Sequence, residues 1–250
     1  MRVLALDTAT TDLVTGLVDP SDPAAPRERI VTDTRAHNEQ LVPTVEALLA
    51  DASLTYADLD ALAVGCGPGP FTGLRVGMAT AQAFGQALGI PVVGVCSHDA
   101  IAHQLAALGE SGTWLIATDA RRKEVYWATY ELAGDGVHRL TEPSVSKPEA
   151  LAEELGDITV DHIVIPEAIA PRLPEALAAL PREWDTPRPA GLVAAAAADA
   201  ASRGQSLTTP AADVPPLVPL YLRRPDAVPP KPTPRSAALP PLPQDSSEAK

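Results

Sequence analysis

The chain has 250 residues, 46% of them hydrophobic but only 4% aromatic, so its core has to be built from Ala, Val, Leu and Ile. That length suits one large domain or two small ones. Thirty-two acidic residues against 19 Lys and Arg give a formal charge of -13, which disfavours autonomous nucleic-acid binding, because neutralising phosphates needs clustered cations.

Cys66 and Cys96 each end an apolar run and have neither a disulfide framework nor a zinc spacing around them, so both are expected as buried, reduced thiols. Asp7 interrupts the first apolar run too early for a signal peptide, and no stretch approaches membrane-spanning length. The expectation is a cytoplasmic protein with no membrane contact.

In chain order, residues 3–6 read as a short strand ending at Asp7, 13–18 as a second strand, 19–26 as a turn-rich loop and 29–34 as a third strand. The three strands form an antiparallel meander. Leu41, Val42, Val45, Leu48, Leu49 and Ala52 then recur at helical spacing. Pro43 removes a backbone donor, so this helix is expected to start or kink there. A strand at 62–65, a glycine-rich loop at 67–73, a helix at 73–88, a strand at 92–95 and a helix at 97–108 complete the unit.

The second half repeats the order. Strands are expected at 114–118, 124–130 and 137–140, the last two joined by a turn at Gly134-Asp135-Gly136. A capping box, Ser146 to Glu149, should open a helix through 155. A strand at 163–165 and helices at 171–180 and 191–202 follow. Two copies of this order describe an α/β chain of tandem duplicated ribonuclease-H-like domains, each a mixed sheet flanked by helices. The expected divisions are 1–108, 109–224 and a disordered proline-rich tail at 225–250, where 27 prolines in the chain are most crowded.

Two stretches could carry chemistry. Asp7-Thr8-Ala9-Thr10-Thr11 follows the first strand, where an acid and small residues can hold phosphate and a metal-bound water. The glycine usual two residues after the acid is replaced by Ala9, so Asp7, Thr8 and Thr10 are candidates either for residual nucleotide contact or for hydrogen-bonding the turn itself. The loop Gly67-Pro68-Gly69-Pro70-Phe71-Thr72-Gly73 could cradle an anion at a helix start, with Thr72 as N-cap, or simply pack as a tight turn. In the helix after it, Gly73, Gly77, Ala81 and Gly85 recur every four residues, with Leu74 and Met78 beside them. Each glycine costs a helix about 1 kcal/mol against alanine, so something approaches this stripe closely, either a strand of its own sheet or a helix of a partner. His98 and His103 lie five apart, about 140° around a helix, and cannot share a metal as an i, i+4 pair would.

The motifs resemble the TsaB (YeaZ) family. Residues 67–77, Gly-Pro-Gly-Pro-Phe-Thr-Gly-Leu-Arg-Val-Gly, are similar to that family's block, with Pro70 and Val76 as the departures. Asp119-Ala120-Arg121-Arg122-Lys123-Glu124-Val125-Tyr126, the opening at Leu6–Thr10 and the late Pro219-Leu220-Tyr221-Leu222-Arg223 also fit, in order. The resemblance implies an actin-like fold and a non-catalytic subunit of the complex that makes N6-threonylcarbamoyladenosine on tRNA. The catalytic partner is the paralogue TsaD, whose metal-binding His-x-x-x-His pair is broken here at 96–103. TsaE joins the pair, TsaC works upstream, and tRNA is met only through the complex. The family's dimer helices, carried over by position, put Leu41, Val45, Leu48, Gly73, Leu74, Gly77, Met78, Ala81 and Gly85 at the partner interface. Isolated members self-associate through this face, which implies a homodimer in isolation. No catalytic residue, metal or cofactor of its own is expected, with ATP or ADP placed at most at the heterodimer junction. The alternatives are an actin-like small-molecule kinase or ATPase, disfavoured by Ala9, and a metallopeptidase, disfavoured by missing ligands.

Overall fold

A computed structural model describes residues 1–183 and 185–223; the tail expected at 225–250 lies outside them. The first sheet is built from β1 (Val3–Asp7), β2 (Leu13–Asp19), β3 (Asp22–Val31), β4 (Ala61–Gly65) and β5 (Val92–Val95). Its order is β3-β2-β1-β4-β5. β1 runs antiparallel to β2 (Val3 opposite Val18) and parallel to β4 (Val3 beside Ala61). The second sheet, from β6 (Gly112–Asp119), β7 (Val125–Ala133), β8 (Gly136–Arg139), β10 (His162–Val164) and β11 (Arg182–Glu183), repeats this pattern in the order β11-β10-β6-β7-β8, with β9 (Ser144–Ser146) paired to β7. These are two mixed sheets in tandem, the actin-like duplication expected.

Helices cover both faces of each sheet. α1 (His37–Asp51) and α2 (Phe71–Leu88) close one face of the first, where Leu41, Val45, Leu48, Leu74, Met78 and Ala81 pack with Leu4, Leu6, Leu13 and Leu62. The other face is closed by α6 (Pro189–Ser202), whose Leu192, Val193 and Ala196 meet Val3, Ala5, Val14 and Val93. On the second sheet, α3 (Ser97–Ala107) brings Ile101, Ala102 and Leu105 to Trp114, Ile116 and Tyr130. Its opposite face carries α4 (Leu151–Glu154) and α5 (Glu175–Ala178). The division at 108 therefore separates the sheets but not their covering layers: α3 belongs in space with the second sheet and α6 with the first.

Several elements differ from the sequence expectation. The loop expected at 19–26 is mostly strand, because β2 and β3 pair as far as Asp19 opposite Asp22. α1 begins six residues before Pro43, which sits exposed inside the helix. Ser146 ends β9 instead of capping a helix, its hydroxyl taken by Trp127 Nε1 and by Glu154, so residues 148–154 form only a 3-10 turn and the short α4. The helix expected at 171–180 is reduced to a 3-10 turn and α5.

The nine residues expected at a partner interface need the largest correction. All but Gly73 are buried in the chain's own first layer. A Cβ at Gly73 would overlap the Thr8 carbonyl, one at Gly77 the Thr8 hydroxyl, and one at Gly85 the Val92 side chain. The glycine stripe thus serves the helix's own sheet. Its outward side shows Ala79, Gln82, Ala83 and Gln86, and α1 likewise exposes Val42 and Glu46. Overpacking of this kind costs about 3 kcal/mol, so Gly77→Leu is expected to lower the urea midpoint sharply or prevent folding, while Ala83→Leu on the outer side stays within about 0.5 kcal/mol.

Candidate functional site

The turn after β1 and the loop before α2 meet backbone to backbone. A Cβ at Gly69 would stand 2.8 Å from the Ala9 Cα and closer still to its carbonyl oxygen. The Thr8 hydroxyl donates to the Gly73 carbonyl at 2.7 Å, across 65 residues of sequence. The loop at 67–73 is thus a tight packed turn, not an open cradle. Thr72 lies inside α2, whose N-cap is Pro70 with no side-chain cap bond.

Beneath this contact Asp7 is 0% exposed. Ser97 Oγ donates to Asp7 Oδ2 at 2.6 Å and the Ala9 amide donates to Oδ1 at 2.7 Å. Burial outweighs both bonds and pushes the carboxyl up to about 6. Thr8 is also 0% exposed. The residues do not fit a phosphate chain and its metal: the carboxylate and hydroxyl that would hold them are committed to internal bonds. Of the three candidates only Thr10 reaches a surface cavity, while its hydroxyl lies 3.2 Å from Thr186 Oγ1 and accepts from the Asp12 amide.

The other titratable groups near the junction of the sheets are equally enclosed. His98 is 0% exposed, with Nε2 2.9 Å from Thr118 Oγ1. Burial, aided by Arg139, pushes it down to about 3, so it is neutral at physiological pH. His103 is only partly buried, and burial lowers it too. Cys66 and Cys96 are buried free thiols pushed up to about 12, chiefly by desolvation, which keeps them protonated and unreactive. Among the described residues no group of three or more His, Cys, Asp or Glu could hold a metal ion.

A second group of residues, scattered in sequence, converges beside the sealed turn. The tip joining β6 to β7 holds Arg121, Arg122 and Lys123 at φ values of 63°, 53° and 65°, a left-handed run that costs energy for residues with a Cβ. The final described segment, from Val214 to Arg223, straps the two halves together. The Leu220 amide donates to the Cys66 carbonyl at 2.8 Å, and Arg223 donates to the Ala120 carbonyl at 3.2 Å and pairs with Glu124. Tyr221 lies 4.9 Å from the Phe71 ring and accepts from Arg75 Nε at 3.1 Å. Arg75 also sits 3.9 Å above the Phe71 centroid. Sequence spacing gives no sign of this cluster; only the ordered blocks at 67–77, 119–126 and 219–223 hinted that they belong together.

The family model described as TsaD, tRNA N6-adenosine threonylcarbamoyltransferase, matches residues 31–229. The tRNA threonylcarbamoyladenosine biosynthesis protein TsaB of Escherichia coli is 32% identical over 66% of this chain and 71% of its own. The solved YeaZ of Pseudomonas aeruginosa superposes with a TM-score of 0.68 at 26% identity, covering 88% of this chain and 99% of that one. The chain belongs to the TsaB (YeaZ) family. An uncharacterized protein of Mycobacterium tuberculosis is 50% identical over 91% of this chain and 94% of its own.

Within this TsaB-type fold, Asp7 is a destabilising charge at neutral pH. Its folded value of about 6 lies above the ordinary 3.8, so the folded chain binds the proton more tightly. Its contribution to stability is full below pH 4 and is lost as pH rises from 4 to 6. At 1.36 kcal/mol per pKa unit that is about 3 kcal/mol. Asp7→Asn, which keeps an acceptor for the Ala9 amide, is expected to raise stability at pH 7 by about 1–3 kcal/mol in urea unfolding and to flatten the profile between pH 4 and 6. A lower midpoint at pH 7 would show that the carboxylate stabilises the fold.

Proposed function

We propose that this chain is a non-catalytic subunit of the machinery that forms N6-threonylcarbamoyladenosine on tRNA, docking a catalytic TsaD in the cytoplasm. The observation that carries the reading is the sealed turn. In a working kinase or ATPase of this fold the acid after the first strand must reach a metal-bound nucleotide. Here Asp7 is dry and bonded to Ser97 and Ala9, and the loop at 67–73 lies on top of it. The names borne by relatives at 32–34% identity support the pathway.

In this reading the docking surface is the outward side of α1 and α2, not the inward stripe. Small side chains there, Ala79 and Ala83, let a partner helix approach closely, and Val42 supplies an exposed apolar contact at 38% exposure. The same side would serve a homodimer when TsaD is absent. TsaE joins the assembled pair, and TsaC supplies the activated threonylcarbamoyl group upstream. Any ATP or ADP is assigned to the junction with TsaD, with Thr10 the nearest of the three turn residues, since Asp7 and Thr8 are closed off.

The test mixes this chain with its own TsaD, TsaE and TsaC and measures modified adenosine in tRNA. Omitting the chain should abolish modification. A double substitution on the outward side, Val42→Glu with Ala83→Glu, should reduce co-purification with TsaD at least tenfold while leaving circular dichroism unchanged. Metal-dependent ATP turnover by the chain alone would favour the kinase reading instead.

A further inference from the structure

Two adjoining surface cavities share Pro70 and Arg121 and form one groove across the junction of the two halves. One, of about 310 Å³, runs between the start of α2, the 120–123 tip and the C-terminal strap, with Arg121, Arg122, Arg223 and the rings of Phe71 and Tyr221 on its walls. The other, of about 200 Å³, continues past Arg121 to Arg35 and His37. Among the described residues no Asp or Glu lines either cavity, on a chain with 32 acidic and 19 basic residues. By contrast, the cavity on the far side of the strap balances Asp99 and Asp199 against Arg139 and Arg203.

We propose that this groove binds a single-stranded RNA segment, its arginines on the phosphates and its exposed rings against the bases. Cationic grooves with stacking platforms are how proteins hold single strands without reading sequence. Phe71 and Tyr221 are exposed by 41% and 38%, which leaves ring surface open even though Arg75 covers one face of Phe71. His37 also lines the second lobe, although its Nε2 is buried and without a hydrogen-bond partner among the described residues. Arg121 and Arg223 have Asp119 and Glu124 as counter-ions, which a phosphate would have to displace or share. The left-handed backbone at 121–123 holds this tip in an uncommon shape, as strained segments at binding sites do. A strand is favoured over a lone nucleotide because the cationic wall extends through two lobes and the deep phosphate seat at Asp7 is closed. The inference deepens the proposed function and rests on it for the kind of RNA, a tRNA presented by the complex.

The experiment titrates the full chain into a short fluorescein-labelled single-stranded RNA and follows anisotropy, so its result is independent of TsaD docking and of the modification assay. Saturable binding is expected, weakening steeply between about 50 and 200 mM salt. Arg121→Glu and Arg35→Glu should each weaken it about tenfold, whereas Arg182→Glu, on β11 away from the groove, should leave it unchanged. Circular dichroism confirms folding of each variant, and Arg35, in a loop, serves if Arg121→Glu fails to fold. Absence of saturable binding at low salt, or equal loss with Arg182→Glu, overturns the proposal. So does full displacement of the RNA by AMP or ADP at stoichiometric concentration, which would assign the groove to a free nucleotide.

Discussion

The contact between the Asp7–Thr11 turn and the loop at 67–73 governs much of this molecule. Backbone meets backbone at Gly69 and Ala9, and a hydroxyl-to-carbonyl bond joins Thr8 to Gly73. Such an approach is open only to residues without a Cβ, which fixes glycine at 69 and 73. It also seats the first turn of α2 on the end of β1, so that Gly77, Ala81 and Gly85 run down onto the sheet. The inward side of the helix is thereby committed to the core, and its outward side stays exposed. The same closure removes water from Asp7, converting what would be a metal-orienting acid in an open relative into a buried carboxyl that weakens the fold at neutral pH.

Surface charge follows a similar division. Across the whole chain acidic residues dominate, which keeps the protein soluble and repels polyanions at a distance. Along the groove wall arginines outnumber the carboxylates of Asp119 and Glu124 that pair with them, because residues from four separate segments (the loop before α1, the start of α2, the 120–123 tip and the strap) bring arginines to one place. The overall charge of -13 weighs against tight binding of nucleic acid at physiological salt. It says nothing about a local cationic strip.

Much of the architecture was legible in the sequence because its strands and long helices carry clear periodicity. The meander, the repeat of strand and helix order and α2 all emerged from apolar spacing alone. The shorter pieces failed for identifiable reasons. Ser146 and Glu149 have the spacing of a capping box, but Trp127 claims the serine hydroxyl from a distant strand. The stretch expected as a loop at 19–26 carries Pro20, Pro23 and Pro26, yet from Asp22 on it belongs to an edge strand, where a missing donor is tolerated. The glycine stripe announced a close neighbour without saying which one, and the resemblance drew the reading toward a partner helix, whereas Gly73 and Gly77 meet Thr8 and Gly85 meets Val92. The groove was invisible for a simpler reason: Arg75 and Tyr221 are 146 residues apart, and no local pattern records such a meeting.

The exchange of covering helices has a consequence for how the chain comes into being. α6, the layer that closes the back of the first sheet, ends at Ser202, long after that sheet's last strand ends at Val95. During synthesis Val3, Ala5, Val14 and Val93 therefore wait, uncovered on one side, while more than a hundred further residues leave the ribosome. A chaperone or a nascent partner has its natural opportunity in that interval, and a chain cut between the halves would release two sheets each lacking a lid supplied by the other.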